Sequence, residues 1–179
     1  DREGLMVRFG SMGERLWHLT RGEGHRRVTR NAPVKSISNE TTFHENTKDP
    51  DILDGHLWRM SEKVADRAKA KGLAGRVVVL KVKRSDFKLI TRRHALGDAT
   101  QMADRIYRTA RAMFDQLGAG VSYRLLGTGI SELVPAEQAD RLGDLLDPQA
   151  EKRASAERAT DAIRARFGNE AIVKGRALR

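Results

Sequence analysis

Apolar residues recur along the chain with two periods, one near 3.6 residues and one of two, and each change of period marks a new element. Leu5, Phe9, Met12, Leu16 and Leu19 are spaced by four and three, which predicts one amphipathic helix ending at Thr20-Arg21-Gly22-Glu23-Gly24, with Trp17 shielding its face. From there to Pro33 the sequence is polar, basic and aperiodic, as a linker would be, so a boundary is expected at residues 25–33.

Beyond that boundary the signals alternate. Val34 to Phe43, with Val34, Ile37, Thr41 and Thr42, predicts a strand. Asp49-Pro50-Asp51 supplies helix-starting chemistry, and the stripe Leu53, Leu57, Met60, Val64, Ala68 carries a long helix to Lys71-Gly72. Arg76 to Lys83 predicts a second strand, Arg84-Ser85-Asp86 a turn, and Phe87 to His94 the returning strand of a hairpin. Thr100 to Leu117 is again helical, with Met102, Ile106, Ala110, Met113 and Leu117 on one face. After Gly118-Ala119-Gly120, Val121 to Leu126 reads as the last strand and Gly127-Thr128-Gly129 as a turn.

The order β-α-β-β-α-β implies an α+β fold: a four-stranded, mostly antiparallel sheet with two helices on one face, and flanking helices outside it. The uncovered face is where function is expected. Alternation along the third strand separates Phe87, Leu89 and Thr91 from Lys88, Ile90, Arg92 and His94, and the second group is expected on the open face. The domain plan is a helix over 1–24, a linker over 25–33, the sheet domain over 34–134 and a tail over 135–179. In the tail, residues 148–167 carry only the thin stripe Ala156, Ala159, Ile163, Phe167, and such a helix needs a surface to dock on.

Charge sharpens this picture. The net charge is +10, and it is concentrated: residues 1–25, 26–134 and 135–179 contribute 0, +9 and +1. Between Arg76 and Arg93 seven basic residues stand against the single acid Asp86. A surplus confined to one segment suits a polyanion, because each neutralised phosphate releases condensed counterions. Lysines on strands also block edge-to-edge aggregation, so both uses remain open for Lys81, Lys83 and Arg84.

Candidate catalytic chemistry does not emerge. There is no cysteine, and the five histidines show neither metal-ligand spacing nor a serine-histidine-acid arrangement. Gly127-Thr128-Gly129 lacks the context of a dinucleotide turn, and Asp49, Asp51 and Asp54 are explained by their place at a helix N-terminus. No catalytic residue, metal site or cofactor is expected within this chain. With no apolar run of 18 residues and no apolar leader, a soluble protein of a reducing cytoplasm is expected, and Asp1 at the start suggests a piece of something longer.

Several stretches resemble the C-terminal part of Y-family (translesion) DNA polymerases of the bacterial DNA polymerase IV type. Pro33-Val34-Lys35-Ser36-Ile37-Ser38-Asn39-Glu40-Thr41-Thr42-Phe43 is similar to the opening strand of that family's little finger domain. Leu57-Trp58-Arg59-Met60-Ser61-Glu62-Lys63-Val64 and Lys71-Gly72-Leu73-Ala74-Gly75-Arg76 resemble its first helix and second strand. Ser85-Asp86-Phe87 with Thr91-Arg92-Arg93 resembles its third strand, and Tyr123 to Ser131 its fourth. Arg8-Phe9-Gly10, Gly13-Glu14-Arg15-Leu16-Trp17 and Arg21-Gly22 resemble the end of its thumb.

The resemblance implies a parent enzyme that adds nucleotides opposite damaged bases with two Mg²⁺ ions held by carboxylates absent from this stretch. It implies a bacterial, nucleoid-associated location and double-stranded template-primer DNA as partner. It also implies backbone contacts from the amides of Lys35, Ser36 and Ile37 and from the side chains of Thr91, Arg92, Arg93 and Arg124. Where that family often carries a sliding-clamp peptide, this chain has Leu142-Gly143-Asp144-Leu145-Leu146, without the glutamine or the aromatic residue; Leu142, Leu145 and Leu146 are the clamp candidates. Two other readings share the element order or the basic face: an RNA-recognition module, which would stack bases on aromatic residues of the open sheet, and a protein-interaction module.

Overall fold

A computed structural model describes residues 1–24, 32–118, 120–140 and 149–178. The chain divides into two compact units, Asp1–Pro33 and Val34–Arg179.

The first unit holds two helices where the apolar stripe predicts one: α1 (Arg2–Phe9) and α2 (Ser11–Thr20). The stripe is continuous, but Gly10 between them sits at φ 57°, a left-handed conformation that a helix interior does not contain. Asp1 caps α1 by accepting from the Gly4 amide at 2.6 Å. Trp17 packs beneath the guanidinium groups of Arg2 and Arg21, whose Cζ atoms lie 5.7 and 4.4 Å from its ring centre.

The second unit runs β1 (Ser36–Thr47), α3 (Pro50–Ala70), β2 (Leu73–Arg84), β3 (Leu89–Thr100), α4 (Ala103–Asp115) and β4 (Tyr123–Pro135). The α+β expectation stands, and the sheet is antiparallel at every junction, in the order β1-β4-β2-β3. Helix α3 lies over β1 and β4, and α4 over β2 and β3. Their apolar stripes meet Ile37, Phe43, Val78, Leu80, Val82, Leu126 and Ile130 from the sheet. Trp58 and Tyr107 join the two helices edge to face, with ring centres 5.2 Å apart. Asp49 caps α3 by accepting from the amides of Asp51 and Ile52, whereas Asp54 turns to Arg111, 2.8 Å away, and to the Tyr107 hydroxyl.

All four strands run further than their sequence suggests: β1 continues to Thr47, β2 starts at Leu73, and β3 starts only at Leu89, leaving Phe87 in the hairpin turn. β3 continues to Thr100, so α4 begins at Ala103. β4 passes straight through Gly127-Thr128-Gly129, which is therefore not a turn. Both glycines sit where β1 comes too close for a side chain: a Cβ at Gly127 would lie 2.7 Å from the Glu40 Cβ, and one at Gly129 would lie 2.6 Å from the Ser38 Cβ.

The tail finds its docking surface on the outer side of the helices. α5 (Ala150–Phe167) brings Glu157, only 4% exposed, to the N-terminus of α4. Its carboxylate accepts from the amides of Ala103 at 2.8 Å and Asp104 at 3.1 Å, replacing the cap that Met102 cannot provide. Lys69 of α3 reaches the same carboxylate and that of Asp161, each at 2.7 Å. Arg164 pairs with Glu62 at 3.1 Å. Further along, Lys174 lies over the Trp58 ring and Arg59 donates to the Ala177 carbonyl at 2.7 Å. These contacts lie on the helices, on the side away from the opposite face of the sheet.

Candidate nucleic-acid interface

The strand registers fix which side chains share the open face. Val78, Leu80 and Val82 belong to the core beneath the helices, so Val79, Lys81 and Lys83 face the other way, and the register puts Val77, itself only 4% exposed, on their side. Reading across the ladder gives four rows: Ser36-Ser131-Val77-Ala95, Ser38-Gly129-Val79-Arg93, Glu40-Gly127-Lys81-Thr91 and Thr42-Leu125-Lys83-Leu89.

This register corrects the face expected for the third strand. Arg92 pairs with Leu80 and His94 with Val78, both core residues, so Arg92, His94 and Ile90 lie on the helix side, and Leu89, Thr91 and Arg93 lie on the open one. A period of two separates the two groups but does not say which group faces the helices; only the neighbouring strand settles that. Arg92 and His94 still reach solvent, because β3 is an outer strand.

Of the other candidates, Ser36, Lys81, Lys83, Thr91 and Arg93 come together on the open face. Lys35 is exposed just before β1, and the Ile37 side chain belongs to the core. β1 is the other outer strand, so its free edge offers main-chain groups not used in the sheet. Arg84 stands at the β2–β3 hairpin, 3.8 Å from Asp86. Arg124 leans over the Phe87 ring, as Lys83 does. Leu142, Leu145 and Leu146 lie outside the described residues.

Sequence reasoning missed the floor and the counter-charges of this face. Because Gly127 and Gly129 carry no side chain, a trough of about 190 Å³ opens above β4, walled by Ser36, Ser38 and Glu40 on one side and by Val79, Lys81 and Thr91 on the other. Glu40 reaches over the trough to Lys81 at 2.8 Å. At the next row Arg93 contacts Glu132 at 3.0 Å, and the Glu132 backbone sits at φ 54°. Both pairs are exposed, so each is worth roughly 0.2–1 kcal/mol and exchanges readily for another anion. The face is thus a small-residue channel bordered by hydroxyls, with cations whose present partners hold them weakly.

Residues 34–143 match the model of the impB/mucB/samB family C-terminal domain. The chain is similar to DNA polymerase IV 1 of Mesorhizobium japonicum, with 47% identity over 175 residues that cover 98% of this chain and 40% of that protein. It is also similar to DNA polymerase IV of Brucella melitensis, 47% identical over 96% of this chain and 38% of the relative. DNA polymerase IV of Caulobacter vibrioides is 39% identical over the whole of this chain and 44% of its own. The chain therefore spans about two fifths of the length of these curated relatives. Among solved structures, a chimeric Y-family DNA polymerase shares the fold, with a TM-score of 0.55 over 75% of this chain and 39% of that one, at 16% identity.

Proposed function

This chain belongs to the impB/mucB/samB family, whose C-terminal domain it carries, and on that footing we propose that it is the DNA-gripping little finger of a translesion DNA polymerase. Its open sheet face holds the phosphate backbones of a template-primer duplex. The observation that carries this reading is the composition of that face: Lys81 stands over a glycine-floored channel with serine and threonine hydroxyls at its sides, and Lys83 and Arg93 share the face beside it. Such groups bind phosphate and position a duplex without reading bases. A grip of that kind tolerates a damaged base, because the lesion alters the base and leaves the backbone.

Arg92, on the far side of the outer strand, contributes from the edge, and Arg84 and Arg124 extend the basic surface at the hairpin end. Among the described residues no group of three or more histidine, cysteine, aspartate or glutamate side chains is placed to hold a metal ion. Nucleotide addition with Mg²⁺ falls to the remainder of a protein like the relatives. Among the described residues no helix is long and apolar enough to cross a membrane, and the reading places the protein with the bacterial chromosome. Docking of Leu142, Leu145 and Leu146 on a sliding clamp is a second proposed contact, resting on sequence position alone.

The discriminating experiment compares binding of the 179-residue chain to a template-primer duplex and to single-stranded RNA of equal length. Tighter, salt-sensitive binding to the duplex supports the grip. Preference for RNA, or binding indifferent to salt, would overturn it in favour of an RNA-recognition or protein-interaction module.

A further inference from the structure

The hairpin joining β2 to β3 ends the open face, and Phe87 stands there in an unusual state. It is 62% exposed, and its backbone sits at φ 65°, a region that bulky residues rarely occupy. The turn holds it there: the Phe87 amide donates to the Arg84 carbonyl at 3.0 Å, the Arg84 amide to the Lys88 carbonyl at 3.0 Å, and the Lys88 amide to the Asp86 carboxylate at 3.1 Å. A large apolar ring kept out of the core by an uncommon backbone conformation invites a functional explanation.

Its surroundings narrow that explanation. Lys83 from β2 and Arg124 from β4 both converge on the ring, with Lys83 Nζ and Arg124 Cζ each 5.3 Å from its centre. Leu89, 53% exposed, occupies the same end of the open face as Lys83. An aromatic platform flanked by two cations from different strands matches a nucleotide, whose base stacks and whose phosphates take the charges. Exposed cation-ring contacts are weaker than base-aromatic stacking, so an arriving base displaces a cation, which then becomes free for the adjoining phosphate. Bases inside a duplex have both faces covered by their neighbours. The ring therefore serves a base with a free face, and an unpaired base beyond the duplex offers one.

We propose that Phe87, Lys83 and Arg124 form a binding site for an unpaired nucleotide of the template strand where it leaves the duplex held on the open face. This inference rests on the grip proposed above and adds to it a second kind of contact, to a base rather than to phosphate alone. The site makes the chain sensitive to the junction between double- and single-stranded DNA.

The test uses the 179-residue chain with two DNAs, a blunt duplex and the same duplex carrying a single-stranded template overhang with 2-aminopurine at the first unpaired position. The chain is expected to bind the overhang duplex about five- to tenfold more tightly than the blunt one, with a change in 2-aminopurine fluorescence. Phe87→Ala is expected to remove both the preference and the fluorescence change while leaving blunt-duplex affinity as it was, and Phe87→Trp to retain both. Equal affinity of the unaltered chain for the two DNAs, or an equal loss on both in Phe87→Ala, overturns the site while leaving the phosphate grip standing. Failure of the unaltered chain to bind the blunt duplex at all overturns the grip instead.

Discussion

The Lys81 ammonium and the Glu40 carboxylate meet at 2.8 Å over the bare backbone of Gly127, joining β2 to β1 across the strand between them. The contact keeps Lys81 extended over the trough and half neutralises it. In the proposed grip, a phosphate arriving there takes the place of the carboxylate.

Replacing the carboxylate should therefore strengthen binding. Glu40→Gln keeps the shape and removes the competing charge, and duplex affinity should rise about 1.4- to fivefold at low salt, since the displaced pair is worth roughly 0.2–1 kcal/mol. Fluorescence anisotropy on a labelled duplex measures this. Unchanged or weaker binding would mean that Lys81 does not meet phosphate.

The glycine floor can be tested through stability. Gly129→Ala puts a Cβ 2.6 Å from the Ser38 Cβ and 2.7 Å from the Ile37 carbonyl oxygen, so β1 has to move. Overpacking of this kind costs about 1–3 kcal/mol, seen as a lower urea midpoint. Gly97→Ala in β3, where a Cβ meets nothing within 4 Å, serves as the control and should leave the midpoint nearly unchanged.

How far this fold could be read from sequence depends on where the deciding contact lies. The order of strands and helices followed from local periodicity, since Leu53 to Ala68 or Val77 to Val82 signal their element within a few residues. The break at Gly10, the passage of β4 through Gly127 and Gly129, and the side of β3 that carries Arg93 are each decided elsewhere. Gly10 interrupts a stripe that continues unbroken on either side. The β4 glycines answer to the closeness of β1, some 90 residues earlier. Arg93 and Arg92 alternate as expected, but only the pairing of Leu80 with Arg92 says which of them faces the helices. Among site residues, the cations were visible as a charge surplus; Glu40 and Glu132, their partners, were hidden because nothing local connects them to Lys81 and Arg93.

Glu157 gives a stability prediction of the same non-local kind. It caps α4 from 54 residues away and neutralises Lys69. Glu157→Ala leaves two amides without an acceptor and Lys69 with Asp161 alone, and should cost about 3 kcal/mol. The loss would appear in thermal or urea unfolding, with duplex affinity of the folded protein unchanged because the sheet face is untouched.

Stability should also fall at alkaline pH, through two groups. Burial alone would push the Lys69 ammonium down, but the Glu157 charge and the hydrogen bonds to Asp161 and Glu157 outweigh it, and the net shift is upward. Its stabilisation is complete below the ordinary lysine value of about 10.5 and is lost as pH rises through the folded value. Burial, then the hydrogen bond to Asp54, pushes the Tyr107 hydroxyl up to about 12. Between about 10 and 12 the unfolded chain gives up that proton while the folded one keeps it, so unfolding becomes easier there too. Unfolding free energy measured from pH 9 to 12 should decline, and Lys69→Met and Tyr107→Phe should each flatten part of the slope.

The most direct test of the phosphate grip is the salt dependence of duplex binding. If Lys81, Lys83, Arg93 and Arg124 each neutralise a phosphate, log K should fall against log salt with a slope of about −3 to −5, and Lys81→Ala with Arg93→Ala should reduce its magnitude by about two. A slope near zero, or a steep slope that the double variant leaves unchanged, would contradict the claim that the open sheet face holds the DNA.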